Sequence, residues 1–548
     1  MFIAVQFFLD GSQGPIMWRM IRTCSVVLFV SFISSPCAAE SGSQVVHQHA
    51  SFHPLDYVAL TGYLVVLVWI GFYFSRREKT TADFFLAGRR VPWWAAALSV
   101  FGTHLSAVTF MAIPAKAFAA DWVTILVNLG IILVAPVTVF CFLPIYRRLE
   151  LTSVYEYLEL RFSAGLRVYG SLAFVTYQLA KMGIFLLLPA IALATVTGFN
   201  VYACIAVMGL LCIVYTVLGG IEAVVWTDVL QSIVLLGGAL LSMGVILSAE
   251  DFAIGTMLQT AVEEHKFHIF TLEGGLDSNV FWVVIVGGFF IQLTPFTSDQ
   301  ALVQRFLTTP DEKTATRAVW AHAALVVPAS LLFFGLGTAL FLFYKTRPEM
   351  MMPTNENDKI VPWFIVTQLP VGLAGLVLAG LFAATMSSVD SGMHSISTTL
   401  VNDVYRKLRP KADDAACLKM ARILIISFGL LGTLSAVLVS RIDAASLWML
   451  TLLLVGLFGS SLTGVFLLGV LTQRANARGT VLGVASSIGT LITLQNMDPR
   501  PINGLLTAAV GALTCVFVGY FASLLLPEPD RPLANLTLRT LEPAHDPS

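Results

Sequence analysis

The segment 383–391 places hydroxyl and carboxylate side chains within a long apolar stretch of the chain. It reads Ala-Ala-Thr-Met-Ser-Ser-Val-Asp-Ser, and a run rich in Gly, Ala, Leu and Val precedes it. Polar side chains are costly inside a membrane and by default mark the path of an ion or a substrate. Oxygen ligands with few formal charges suit a hard, weakly held monovalent cation better than a transition metal. The segment therefore predicts a sodium site within the membrane.

Polar residues also interrupt an apolar helix between positions 99 and 110. The interrupting residues are small or can form hydrogen bonds: Gly102, Thr103, His104, Ser106 and Thr109. Unwinding of the helix at this point would free backbone carbonyl oxygens for a ligand. We predict that the last three of these side chains face a substrate cavity, together with Asn128 about two turns into the next helix. In the alternative, the hydroxyls bond to carbonyls of their own unbroken helix.

Lys181 is a lone cation deep within an apolar segment that reads Tyr-Gln-Leu-Ala-Lys-Met-Gly-Ile. An unpaired lysine at such depth costs roughly 2.5–3.5 kcal/mol, so it must face water or find a partner. Binding of a substrate carboxylate is one interpretation, and snorkelling or pairing with an internal acid is the other. Gln292, close to Pro295, lies where another helix is expected to bend and is a further candidate to line the cavity.

The composition is typical of a membrane protein. Of 548 residues, 57% are hydrophobic and 12% are charged, whereas soluble proteins carry about 25% charged residues. Past residue 54 we count thirteen apolar segments long enough to cross a bilayer, and all must be helical because a backbone in lipid has to satisfy its own hydrogen bonds. They lie near 54–75, 93–118, 122–146, 166–196, 200–220, 224–248, 279–299, 318–344, 371–404, 418–440, 443–472, 479–496 and 502–527. The net charge of −1 and the lack of a basic arm argue against a nucleic-acid partner.

The amino-terminal residues 1–39 resemble a secretory signal peptide. A basic stretch precedes a short apolar run and a small-residue cleavage zone, and the true start could be Met17 or Met20. An uncleaved extra helix is the alternative. Lys and Arg are concentrated in alternate loops, so the positive-inside rule predicts an external mature amino terminus and a cytoplasmic tail over 528–548.

Four blocks recur in a fixed order along the chain: 83–94, 219–231, 299–305 and the pair at 387–388. Together they resemble the sodium:solute symporter family, which contains transporters of galactose, proline and sialic acid. The resemblance implies an all-α, LeuT-type fold with two inverted five-helix repeats. The repeats would cover 93–248 and 279–472, with a helix over 54–75 before them and two helices over 479–527 after them.

The resemblance also implies where a sodium ion binds. Gly102 and Leu105 would offer carbonyl oxygens from one wall of the break. The opposite wall would consist of the Ala384 carbonyl and the hydroxyls of Ser387 and Ser388. Gly102 replaces an alanine of the family, a change that a backbone ligand tolerates.

Two further residues match functional positions of some family members. Asp228 matches a residue that forms a second sodium site with Ser388, although it could instead cap its helix and complement the helix dipole. Lys181 matches an arginine that binds the substrate carboxylate in sialic acid transporters. Lysine supplies the charge without the bidentate geometry of arginine.

These observations predict a sodium-coupled secondary active symporter that imports a small polar solute by alternating access. A sugar or a sugar acid such as sialic acid is the expected solute, with Na+ as the only cofactor and a monomer in the inner (plasma) membrane as the working unit. A proton-coupled carrier that titrates Asp228 or Lys181 and a non-transporting membrane sensor are the alternatives. The sequence contains no H-E-x-x-H or G-x-S-x-G motif and no carboxylate pair in one apolar segment, so no enzymatic activity is expected.

Overall fold

The structure is a computed structural model. The described residues are 53–105, 107–249, 254–352, 357–440, 455–497, 500–526 and 532–541. The predicted signal peptide over 1–39 therefore lies outside the described residues, as do Ser106, part of the predicted segment 443–472 and parts of the tail.

The described residues form helices and connecting loops without a β-strand. The helices are α1 Pro54–Ser75, α2 Thr81–Leu86, α3 Trp93–His104, α4 Ala107–Ala119, α5 Ile125–Leu129, α6 Ile131–Val137, α7 Leu143–Arg148, α8 Glu156–Arg161, α9 Ala164–Thr197, α10 Val201–Leu247, α11 Ile254–Glu263, α12 Phe281–Thr297, α13 Gln300–Leu307, α14 Glu312–Thr346, α15 Ile360–Gln368, α16 Leu373–Leu400, α17 Arg406–Leu408, α18 Asp414–Val439, α19 Ser461–Leu471, α20 Ala477–Gln495 and α21 Thr507–Leu525. Wider π-helical turns cover Thr138–Phe142, Val401–Tyr405 and Val455–Ser460.

Polar residues begin many of these helices. At each such amino terminus the capping side chain accepts a hydrogen bond from a backbone N–H of the first turn, which satisfies a donor that the helix itself leaves unpaired. The capping residues of this kind include Ser163, Asn200, Asp299, Asp311, Asp413 and Asn476.

Within the described ranges, nine helical segments are long and apolar enough to cross a membrane. Two bent pairs raise the number to as many as eleven if each pair is one span: α3 with α4, bent by 61°, and α12 with α13, bent by 56°. The predicted class of an all-helical, multi-pass membrane protein is therefore confirmed. The two bends fall in the helices with which the two predicted repeats begin.

Helix α10 reverses its direction at Gly220, which has φ 54° and ψ −152°. Its 47 residues would extend about 70 Å at the usual rise per residue, more than twice the hydrocarbon core of a bilayer. Contacts with α16 run in opposite directions on the two sides of this glycine. In chain order along α10 they join Cys212 to Met386, Tyr215 to Asp390, Val234 to Gly380 and Gly238 to Val377. The first half is therefore parallel to α16 and the second half antiparallel to it.

Replacing Gly220 by alanine should destabilise the protein by about 2 kcal/mol or more, because L residues are strained in this left-handed region. The added Cβ would also lie 2.9 Å from the Phe84 ring and 3.0 Å from the Phe84 carbonyl oxygen. Thermal unfolding of the detergent-purified protein measures the effect. Gly237→Ala on the same helix is the matched control, since no heavy atom lies within 4 Å of its Cβ position. Equal melting temperatures for the two variants would contradict the prediction.

Asp56 anchors the helix that carries the hydroxyl residues, α16, to the first helix of the bundle. Its carboxylate accepts hydrogen bonds from the backbone N–H of Gly372 at 2.8 Å and of Gly375 at 2.9 Å. It also accepts from the N–H of His53, so a single buried side chain caps the start of both α1 and α16. Of the nine spans, α16 is the most enclosed by protein. This enclosure explains how α16 can carry hydroxyls and a carboxylate away from lipid.

Candidate functional site

The structure brings the two predicted walls of the sodium site into contact. Helix α3 ends at His104, and Leu105 has an extended backbone with φ −82° and ψ 102°. The Ser387 hydroxyl donates to the Gly102 carbonyl oxygen at 2.7 Å, and the Ser388 hydroxyl lies 3.4 Å from the carbonyl oxygen of Thr103. Both hydroxyls therefore face carbonyls in the last turn of α3, directly before the break.

The remaining predicted ligands lie beside these contacts. Ser387 is also within 3.2 Å of the Ala384 carbonyl oxygen. Leu105 begins the extended stretch, so its carbonyl cannot continue the hydrogen-bond ladder of α3. A Cβ on Gly102 would lie 2.7 Å from the Ser232 hydroxyl oxygen, so glycine permits the close approach of α3 to α10. Neutral hydroxyl and carbonyl oxygens of this kind are suitable ligands for a sodium ion.

Asp228 belongs to a buried polar cluster next to these walls. Its Oδ2 accepts hydrogen bonds from Ser99 Oγ at 2.6 Å, from Arg305 Nη2 at 2.9 Å and, more weakly, from Thr103 Oγ1 at 3.4 Å. Its Oδ1 has no hydrogen-bond partner among the described residues. Asp228 makes no direct hydrogen bond to Ser388, but both residues contact Thr103, one at its hydroxyl and the other at its carbonyl. The two residues predicted to form the second sodium site therefore both lie next to Thr103.

Arg305 has a role that sequence analysis missed. Asp299, directly before α13, caps that helix by accepting from the Ala301 N–H at 2.8 Å and forms no ion pair with Arg305. The Arg305 guanidinium is fully buried and forms its ion pair with Asp228. Its Nε donates to Ser99 at 2.7 Å, and the same group also donates to Ser391. One side chain of α13 therefore connects α3, α10 and α16.

Asp390 is a second buried carboxylate in this cluster. Tyr215 donates to its Oδ2 at 2.5 Å, and the Ser391 hydroxyl lies 3.2 Å from its Oδ1. Within the part of the chain that the structure describes, Asp390 forms no ion pair. The Ser391 hydroxyl, which also accepts from Arg305, links Asp390 to the Asp228–Arg305 pair.

Lys181 lies on α9 with aromatic rings one turn away on each side. Its Nζ is 5.7 Å from the centre of the Tyr177 ring and 5.3 Å from that of Phe185. Among the described residues, no carboxylate forms an ion pair with it. It interacts electrostatically with Asp299 and with His104. The lysine is therefore close to the break of α3 and lacks an acidic partner in direct contact.

The other predicted substrate residues surround the two breaks. Gln292, on α12, donates from Nε2 to the Val127 carbonyl oxygen at 3.3 Å, which places it next to Asn128 of α5 along the chain. The imidazole of His104 packs against the Phe296 ring at a centroid distance of 5.9 Å. Thr109 lies in the first turn of α4, on the far side of the break from His104. Ser106 lies outside the described residues.

The end of the bundle that carries the basic loops is closed by a network around Asp403. Arg167 donates to Asp403 Oδ1 from Nε at 2.8 Å and from Nη2 at 2.5 Å, and to Glu159 at 2.7 Å. Ser153 and Ser171 each donate to Asp403 Oδ2 at 2.7 Å. This network ties the start of α9 to the end of the helix that carries Ser387.

Comparisons with known proteins show the family to which the chain belongs. The family model described as "Sodium:solute symporter family" matches residues 84–486. The chain is 36% identical over 477 residues to the sodium/sialic acid symporter NanT of Aliivibrio fischeri, covering 86% of this chain and 94% of the relative. It is 36% identical over 467 residues to the sodium/sialic acid symporter SiaT of Proteus mirabilis, covering 85% and 94%.

A solved structure gives the same result for the fold. A Na+-coupled sialic acid symporter in a substrate-bound outward-open state superimposes with a TM-score of 0.82 at 35% sequence identity. The match covers 87% of this chain and 98% of that structure. The predicted resemblance and the LeuT-type fold are therefore confirmed, and the chain belongs to the sodium:solute symporter family.

Proposed function

We propose that this protein uses a sodium gradient to import sialic acid or a closely related sugar acid. The observation that carries the proposal is that the Ser387 and Ser388 hydroxyls on α16 face the last carbonyls of α3, directly before the break in α3. Sodium is the coupling ion of the family, and the oxygen atoms gathered here are of the kind that sodium prefers. The relatives named as sialic acid symporters support the choice of substrate.

The sodium ion would be held by the Gly102, Leu105 and Ala384 carbonyls together with the Ser387 and Ser388 hydroxyls. These ligands belong to the broken helix and to α16, so an ion between them would fix the position of one helix against the other. Substrate residues such as His104 directly adjoin the ion ligands along the chain. Sodium binding should therefore raise substrate affinity, and by linkage the substrate should raise sodium affinity equally.

The size of the driving force is sufficient for strong accumulation. A membrane potential of 100 mV contributes about 2.3 kcal/mol for each charge moved, and a tenfold sodium gradient contributes about 1.4 kcal/mol. One sodium ion can therefore support a substrate gradient of several hundredfold.

Asp228 and Ser388 are proposed to contribute to a second sodium site. One observation supports this assignment: the Oδ1 of the fully buried Asp228 has no hydrogen-bond partner among the described residues. A buried carboxylate oxygen without a partner is costly, which favours a cation nearby.

Lys181 is proposed to bind the carboxylate of the substrate. It is a cation within a membrane-spanning helix and has no direct acidic partner among the described residues, so a substrate anion would compensate its charge. Asn128, Gln292, His104, Ser106 and Thr109 are proposed to contact the rest of the solute.

The finer topology is also a proposal. Counting α10 as two crossings on either side of Gly220, each bent pair as one crossing and the segment 443–472 as another gives thirteen spans. We propose an external amino terminus, a cytoplasmic carboxyl terminus and repeats over 93–248 and 279–472. A signal peptide over 1–39 and a monomer in the plasma membrane complete the proposal.

Uptake by proteoliposomes with an imposed sodium gradient tests the function. We expect accumulation of N-acetylneuraminate that requires external sodium and increases with an inside-negative potential. Neutral hexoses, proline and pyruvate form the comparison panel. Accumulation driven by a pH gradient in sodium-free buffer, or binding without accumulation, would contradict the proposal.

Replacing Lys181 by methionine should selectively weaken the binding of anionic substrates. A charge-assisted hydrogen bond is worth about 1.5–3 kcal/mol, so the K0.5 for sialic acid should rise about tenfold to a hundredfold. Lys345→Met is the control, because that lysine lies at the exposed end of α14 and pairs with Glu264. If the Lys181 variant loses affinity equally for a neutral solute, carboxylate binding by Lys181 is excluded.

A further inference from the structure

His322 lies between two apolar stretches of α14 and was not singled out by the sequence analysis. Its side chain has no exposure to solvent in the structure. Neither Nδ1 nor Nε2 has a hydrogen-bond partner among the described residues. A neutral imidazole carries one donor and one acceptor, and leaving buried groups of this kind unpaired is unfavourable. A phenylalanine would occupy similar space without that cost, so packing alone does not account for a histidine here.

The ring of His322 stacks on the ring of His104. Their centroids are 5.6 Å apart and the ring planes differ by 20°. The Nδ1 of His104 is also without a hydrogen-bond partner among the described residues. The two imidazoles therefore bring three unpaired polar nitrogens together inside the bundle.

This histidine pair lies between the two helix breaks. His104 is the last helical residue of α3, and Phe296, which is next to the end of α12, packs against His322 at 5.3 Å. The Phe101 ring also packs against His322, with the two ring centroids 6.3 Å apart. The polar nitrogens are thus framed by aromatic rings at the point where both broken helices meet α14.

We propose that His322 binds the substrate together with His104, by hydrogen bonds to hydroxyl groups of a polyhydroxylated carboxylate. This inference rests on the proposed function and assigns a second part of the same substrate site. Lys181 would recognise the carboxylate, and the histidine pair would recognise the hydroxyl-bearing part of the solute. A donor and an acceptor on each imidazole match a hydroxyl group, which can both donate and accept. The pair would then favour sugar acids over short aliphatic carboxylates.

The test compares the parent protein with His322→Phe and His322→Asn, all as full-length chains in proteoliposomes. The probes are N-acetylneuraminate and a panel of its analogues that each lack one hydroxyl group, measured as inhibitors of labelled N-acetylneuraminate uptake. We expect His322→Phe to raise the K0.5 for N-acetylneuraminate about tenfold, the loss expected for one or two hydrogen bonds. For the analogue that lacks the bound hydroxyl, the parent and His322→Phe should have the same affinity. His322→Asn retains hydrogen-bonding groups and should recover part of the affinity for N-acetylneuraminate.

Val326→Ala is the control for packing, because it removes a buried apolar group one turn further along α14. It should lower the melting temperature without changing the order of preference within the panel. The inference is overturned if His322→Phe weakens every member of the panel equally, or if it lowers the maximal rate with all K0.5 values unchanged. Failure of the proposed function would look different, since the parent itself would then show no sodium-dependent uptake of sugar acids.

Discussion

Replacing Ser387 and Ser388 together by alanine should remove the dependence of uptake on sodium. The substitution deletes both hydroxyls of the proposed ion site. It leaves the Gly102 and Thr103 carbonyls without the hydroxyl groups of α16 that face them. Each lost ligand should cost at least about 1 kcal/mol, so the K0.5 for sodium should rise by about fivefold or more for each serine and coupled accumulation should disappear. Substrate uptake at stepwise sodium concentrations measures the effect.

Ser395→Ala provides the matched control on the same helix. The Ser395 hydroxyl donates only to carbonyls of its own helix, those of Ser391 at 2.6 Å and Gly392 at 3.0 Å. Its loss should leave the sodium dependence unchanged. If the double variant at 387 and 388 accumulates substrate with the sodium dependence of the parent, the ion that drives transport binds elsewhere, and Asp228 becomes the first residue to examine.

The residue types of the ion site could be predicted from sequence because their chemistry conflicts with their surroundings. Hydroxyls at 387 and 388 and a broken pattern around Gly102 have no purpose in lipid, and hydropathy alone shows the conflict. The family resemblance then indicated which groups face each other, and the structure brings Ser387 and Gly102 within hydrogen-bonding distance.

The partners of the buried charges could not be predicted in the same way. Arg305 and Asp228 are 77 positions apart, and Tyr215 and Asp390 are 175 apart. Their pairing depends on how helices that are far apart in the chain pack, which no local pattern encodes. Proximity along the chain alone would favour Asp299, six positions before Arg305, as its partner. The same limit applies to His322, whose significance is visible only from the rings and unpaired nitrogens around it.

The reversal at Gly220 shows a different limit. The boundary between the predicted segments 200–220 and 224–248 lies where the chain turns. Hydropathy does not reveal that a single glycine makes the turn within an otherwise continuous helix. This reversal brings Asp228 to the buried cluster, because the second half of α10 runs back along α16.

The buried cluster connects the parts that alternating access has to move. Arg305 belongs to the second broken helix, Ser99 to the first, Asp228 to α10 and Ser391 to α16. Two of the proposed sodium ligands, Gly102 and Ser388, lie about one turn from Ser99 and Ser391 on the same helices. Ion binding and the arrangement of charges are therefore mechanically linked, since neither broken helix can move without altering contacts at Arg305.

Removing either member of the Asp228–Arg305 pair should therefore be severe. Both side chains are fully buried, and loss of one leaves the other as an uncompensated charge, which typically costs 3–5 kcal/mol. Asp228→Asn and Arg305→Met should each lower the melting temperature strongly and abolish uptake. The double variant should be more stable than the sum of the two losses predicts, because it removes both charges together. Thermal unfolding of the four proteins in detergent gives the coupling energy.

The exposed pair Glu264–Lys345 serves as the control cycle. Neutralising either of these residues should leave the melting temperature nearly unchanged, since exposed ion pairs contribute little to stability. Asp390 gives a further check, because the Ser391 hydroxyl links its carboxyl group to Arg305. In the Arg305→Met background two carboxylates remain without a guanidinium, so adding Asp390→Asn should recover part of the lost stability. Strictly additive losses at 228 and 305, with no recovery on adding Asp390→Asn, would show that these charges are not held as one cluster.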